Sequence, residues 1–110
     1  MTFYITNAFS LNMLNREGYD LALRPINIEG VKNLLANETW KSLVGHADVA
    51  AVMSSLIGVE IPVNRETAKF TGNDEWSLIV GQYTGPRLTE GTVTLPEGAK
   101  IEFWQVYQTW

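Results

Sequence analysis

The chain has a single histidine. His46 stands in "LVGHADVAAVMSSLIG" (43–58), directly after Gly45 and ahead of a run with helical apolar spacing. Gly45 is an acceptable N-cap, which places His46 in the first turn of that helix. A helix start carries four backbone N–H groups without intrahelical partners and the positive end of the dipole, so it favours an anion. The same field disfavours an imidazolium while the site is empty, and an arriving phosphate reverses that preference. A histidine so placed becomes an acid as its substrate binds. The plain alternative is a polar residue making a local hydrogen bond near a helix start.

Other polar residues suit the same anion. "GPRLTEG" (85–91) stiffens a loop with Pro86 and two glycines around Arg87, and arginine is the side chain suited to bidentate phosphate contact. Glu90, three residues on, is placed to orient Arg87 by an ion pair or to act as a base. "VNRE" supplies another cation, Arg65, and "TNAFSLN" supplies Asn7, Ser10 and Asn12 around Phe9. Each has a modest reading too: a solvated loop with a surface ion pair, an exposed strand residue, and turn or capping work. No G-x-x-x-x-G-K-[ST], G-x-G-x-x-G or G-x-S-x-G occurs. Asp20, Asp48 and Asp74 are scattered. Ser10, His46 and Asp48 are the types for a hydrolytic triad, but nothing positions a nucleophile. RNA cleavage fits so sparse a kit, because RNA brings its own nucleophile, the 2′-OH. The enzyme must fix in-line geometry, neutralise the phosphate and protonate the 5′ leaving oxygen.

The elements that must position these residues belong to one small domain. At 110 residues the chain supports a single core, burying roughly 65% of the unfolded surface. A net charge of −4 argues against a duplex-DNA binder with a basic face, but not against a small anion held by a few arginines. The absence of cysteine excludes disulfides and thiolate metal sites, and with one histidine no zinc site or other cofactor is expected. "MTFYITNAF" lacks the pattern of a signal peptide, and no run approaches the ~20 apolar residues of a membrane span. A soluble cytoplasmic protein is expected.

The pattern along the chain reads as α+β. "TFYIT" (2–6) is β-prone. "YDLALRPI" (19–26) alternates as a strand, and Pro25 marks an edge or an end. "NIEGVKNLLAN" (27–37) predicts a helix capped by Asn27, with Val31, Leu34 and Leu35 on one face. "TWKSLV" (39–44) suggests a brief strand. The helix after Gly45 has Val49, Val52, Met53, Leu56 and Ile57 in one stripe, and Gly58 suits its left-handed end. "VNRETAKF" (63–70) and "EWSLIVGQY" (75–83), separated by "TGND", predict a β-hairpin. "KIEFWQVYQ" (100–108) is a strand with apolar residues on both faces, hence covered on both sides.

Three stretches in fixed order resemble the small viral anti-CRISPR ring nucleases, found in archaeal viruses, phages and some bacterial genomes. They are "ITNAFSLNML", "SLVGHADVAAVMSSLIGVEIPVNR" and "IVGQYTGPRLTEG", the last followed by "LPEGAKIEF". The combination of "GH", a helix, "NR" and "RLxEG" carries the match, to which residues 15–40 add little. The resemblance implies a homodimeric α+β fold with a mixed sheet of about five strands flanked by helices. It implies a cleft across the two-fold axis for cyclic tetra-adenylate, the messenger of type III CRISPR defence. The family cleaves that ring without metal, using the 2′-OH, to linear di-adenylates. The family's catalytic histidine, arginine and glutamate fall on His46, Arg87 and Glu90. Its ligand contacts fall on Asn7, Ser10, Asn12, Arg65 and Gln82. A non-catalytic sponge for a cyclic nucleotide, and a structural or protein-binding dimer, are the competing classes.

Overall fold

The computed structural model describes residues 2–14, 20–66, 68–70, 76–89 and 91–109. Five strands and two helices follow in the order β1 (Thr2–Thr6), β2 (Leu21–Ile26), α1 (Ile28–Asn37), β3 (Trp40–Ser42), α2 (Ala47–Ile57), β4 (Trp76–Thr84) and β5 (Lys100–Gln108). A single 3-10 turn, Leu11–Met13, lies between β1 and β2. The strands form one mixed sheet ordered β2-β5-β4-β1-β3. β1 pairs in parallel with β3 and β4, and β5 runs antiparallel to both β2 and β4. Four strands therefore point one way and β5 alone returns. This is the expected single α+β domain. Pro25 does sit on an edge strand, opposite Trp104 of β5.

Both helices cover the same face of the sheet. Val31 and Leu35 of α1 and Ala50, Met53 and Ile57 of α2 close over Ile5, Ile79 and Phe103. Asn27 caps α1, its Oδ1 accepting the Gly30 N–H at 2.8 Å. Gly58 ends α2 at φ 77°, a conformation that suits a residue without Cβ. The other face carries Leu78, Val80 and Val106. Among the described residues no helix covers it; Phe9, Met13 and Leu14 from the β1–β2 connection, with Phe70 stacked on Trp76 at 4.5 Å, do so instead. β5 is thus apolar on both sides, as its sequence predicts, with Phe103 toward the helices and Val106 away from them.

Two expectations are corrected. Residues 63–66 and 68–70 form no strand of a hairpin with β4. Their hydrogen bonds go elsewhere: Asn64 N–H to Val44 O at 2.8 Å, and Phe70 N–H to Met13 O at 2.7 Å. β4 instead takes β1 and β5 as its neighbours. The intervening "TGND" lies outside the described residues. Also, the N-cap of α2 is His46, with φ −125° and ψ 127°, rather than Gly45. Among the described residues no helix is long and apolar enough to cross a membrane.

Candidate functional site

The parallel strands β1, β3 and β4 bring their carboxyl ends to one edge of the sheet. Ligand crevices form outside such ends, where loops meet helix N-termini. Leaving β1, the buried Thr6 hydroxyl donates to Ala8 O at 3.0 Å and accepts the Ala8 N–H at 3.3 Å. This local turn holds Asn7 at the corner. Leaving β3, Leu43 N–H donates to Ile5 O at 2.7 Å, and the chain continues through Gly45 into α2. Asn7 Oδ1 then accepts the Gly45 N–H at 3.3 Å, joining the two corners.

Arg65 arrives from residues 61–66, which run beside β3. Ser42 Oγ donates to Pro62 O at 2.6 Å, and Asn64 Nδ2 donates to Ser42 O at 2.9 Å. Thus anchored, Arg65 Nε–H donates to Gly45 O at 2.9 Å. His46, Asn7 and Arg65 therefore converge on one glycine. The His46 side chain is exposed and makes no capping bond to the helix it begins. The first-turn amides of α2 are left without that partner, in the arrangement that favours an anion. Asp48, also in this turn, is the acidic residue such an anion would meet.

Asn7 also faces a groove of about 360 Å³ on the helix-free side of the sheet. Its walls include Phe9, Leu23, Val80, Gln82 and Trp104. Asn7 and Gln82, expected as ligand contacts, do share one concavity. Ser10 Oγ accepts the Asn12 N–H at 3.2 Å, a local turn, and the Asn12 backbone O accepts from Lys69 Nζ, far along the chain, at 2.6 Å. The capping alternative accounts for Ser10. Arg87 is exposed in the loop after β4, and among the described residues no hydrogen bond or ion pair joins it to the His46 cluster. The Tyr83 hydroxyl donates to Pro86 O, fixing that loop just ahead of Arg87. Glu90 lies outside the described residues.

Two features escape the sequence reading. One is the aromatic groove wall of Phe9 and Trp104, which alternation alone assigns to packing. The other is the anchoring of Arg65 through Ser42 and Asn64; its signal is Pro62, which does not suit a strand interior.

These features define a small α+β protein whose polar cluster gathers at the carboxyl edge of a five-stranded mixed sheet. The chain belongs to the STIV B116-like family, whose model matches residues 3–104. "Uncharacterized protein 26" of Sulfolobus islandicus filamentous virus (isolate Iceland/Hveragerdi) is 33% identical over 90 residues, covering 82% of this chain and 74% of that one. The B116 protein of Sulfolobus turreted icosahedral virus shares the fold with a TM-score of 0.77 at 25% identity, over 97% of this chain and 99% of that one. Homologues from viruses of Sulfolobus thus share both sequence and architecture with it.

Proposed function

We propose that this protein is a metal-independent ring nuclease that opens cyclic tetra-adenylate in the host cytoplasm and so silences type III CRISPR signalling. The observation that carries the reading is His46. It is a lone exposed imidazole at a helix start whose amides it leaves uncapped, with Arg65 and Asn7 bonded to the peptide groups of the residue before it. The viral homologues fit an immune-evasion role.

In this mechanism the α2 amides and the arginines hold one ring phosphate. The adjacent ribose 2′-OH loses its proton and attacks phosphorus in line, and the P–O5′ bond breaks. His46 gives its proton to the departing 5′ oxygen, leaving a 2′,3′-cyclic phosphate. Arg87 neutralises charge in the transition state, and Glu90 orients Arg87 or takes the 2′-OH proton. Two such cuts yield linear di-adenylates. Because the ring has four phosphates, the reading takes the protein as a homodimer with the ligand across its two-fold axis.

The test is incubation of purified protein with cyclic tetra-adenylate in excess chelator, with products resolved by chromatography. Di-adenylate formation at an undiminished rate is expected. A strict requirement for a divalent ion would overturn the mechanism. Tight binding without products would make the protein a sponge, and neither binding nor products would leave a structural dimer.

A further inference from the structure

Gly45 is gripped at both of its peptide groups by side chains from distant parts of the chain. Its N–H donates to Asn7 Oδ1 at 3.3 Å, and its C=O accepts Arg65 Nε–H at 2.9 Å. The stem of Arg65 lies over it, since a Cβ on Gly45 would stand 3.8 Å from Arg65 Cγ. His46 follows immediately, in extended backbone, with no capping bond from its own side chain. Ahead of it, the Ala50 N–H donates to His46 O at 3.0 Å and ties it to α2. The direction of the imidazole is therefore inherited from the backbone on either side, and the Gly45 grip is the half of that frame not supplied by the helix.

We propose that Asn7 and Arg65 are positioning residues for His46, acting through a clamp on the Gly45 peptide groups. This rests on reading His46 as the general acid, and it assigns both residues a role in addition to ligand contact. The chemistry of the clamp is specific. Asn7 contributes an acceptor, so its carboxamide is oriented with Nδ2 left over for the groove. Arg65 contributes one N–H at the Nε position. Among the described residues its terminal amino groups make no other bond, and they remain available to an anion. A clamped peptide fixes the acid in place before substrate arrives, and small misplacements of a reacting group are costly in rate.

Two substitutions at Arg65 separate positioning from charge. Glutamine carries an N–H on its Cδ, as arginine does, so R65Q keeps the clamp donor and loses the cation. Lysine has a methylene there, so R65K keeps the cation and loses the donor. The first measurement is NMR on the ligand-free protein, where the single histidine gives one unambiguous imidazole Cε1–H signal. Asn7→Ala is expected to speed Gly45 amide exchange by about tenfold or more, and Asn7→Asp, which retains the acceptor, by less. The His46 signal is expected to move in Asn7→Ala and R65K and to stay nearer its original position in R65Q. The second measurement is single-turnover cleavage of cyclic tetra-adenylate at saturating concentration, with affinity measured separately. R65K is expected to be slower than R65Q by about tenfold or more while binding the ring more tightly. Arg65 is exposed, so both variants are expected to fold. A His46 signal unmoved in Asn7→Ala and R65K, or R65K cleaving as fast as R65Q, overturns the clamp. If the unsubstituted protein cleaves nothing, the ring-nuclease reading fails and the NMR measurements alone decide the clamp.

Discussion

On the proposed function, His46→Ala removes the proton donor but leaves the α2 amides and the arginines in place. Ring binding should be largely retained, and single-turnover cleavage should fall by about 10²–10⁴, the usual worth of a positioned acid. Lost binding with a proportional loss of rate would make the histidine structural. Unchanged rate with intact binding would assign the acid elsewhere. Arg87→Ala should lower affinity and turnover together, since a phosphate-bound guanidinium serves ground state and transition state alike. Wild-type turnover in that variant would reduce the loop to a connection. Asn7 and His46 stand out in the sequence as a short polar side chain after a strand and a lone imidazole at a helix start, whereas Gln82, which shares the groove with Asn7, is marked only by the family resemblance. What Arg65 and Asn7 actually touch was not legible. Their common partner is a backbone peptide 20 and 38 residues away, and a glycine's N–H and C=O leave no mark on residue type.

At the scale of elements, local signals place both helices, Asn27 and an apolar face marking α1 and an apolar stripe with Gly58 marking α2, although the α2 cap falls on His46 rather than Gly45. The hairpin failed because β4 satisfies its ladder with β1 and β5, partners chosen by long-range packing. Residues 63–66 are instead tied beside β3, partly by Lys41 and Glu66 at 2.7 Å. The Lys41 ammonium beside Glu66, and then Asn64, hold that carboxyl below the ordinary glutamate range. A carboxyl lowered in the folded state stabilises it fully above its unfolded value and loses that contribution as pH falls through the folded one. Glu66→Gln should therefore flatten the acid limb of stability slightly in urea melts, and less so at high salt, because the pair is exposed. Gly81 matters more. A Cβ there would stand 2.8 Å from Met53 Cε and 2.9 Å from Phe103 Cε1. Met53 can swing aside but the Phe103 ring is enclosed, so Gly81→Ala should cost about 1–3 kcal/mol in denaturant unfolding. A melt unchanged from the parent would show that the core between β4 and α2 is looser than its geometry implies.

The whole molecule presents two unlike faces, one closed by both helices and one open as the groove beneath Asn7 and Gln82. Leu23 and Trp104 border that groove, and Leu23 remains 57% exposed. On the proposed function, one chain offers a cyclic tetranucleotide a single His46 and, among the described residues, Arg65 and Arg87 in the connections that follow the parallel strands. Four phosphates on a ring with rotational symmetry call for the same set twice, related by a two-fold axis. A chain with a net charge of −4 cannot supply that neutralisation from its overall field, so the proposed function pairs the local arginines across two subunits. Two quantities follow and can be measured without reference to turnover. Sedimentation should give twice the 12.3 kDa chain mass at working concentrations. Calorimetric titration of His46→Ala, expected to bind while cutting slowly, should saturate at one cyclic tetra-adenylate per two chains. Saturation at one ring per chain would place the whole site within a single subunit, and the pairing of arginines across a dimer would then have no part in the chemistry.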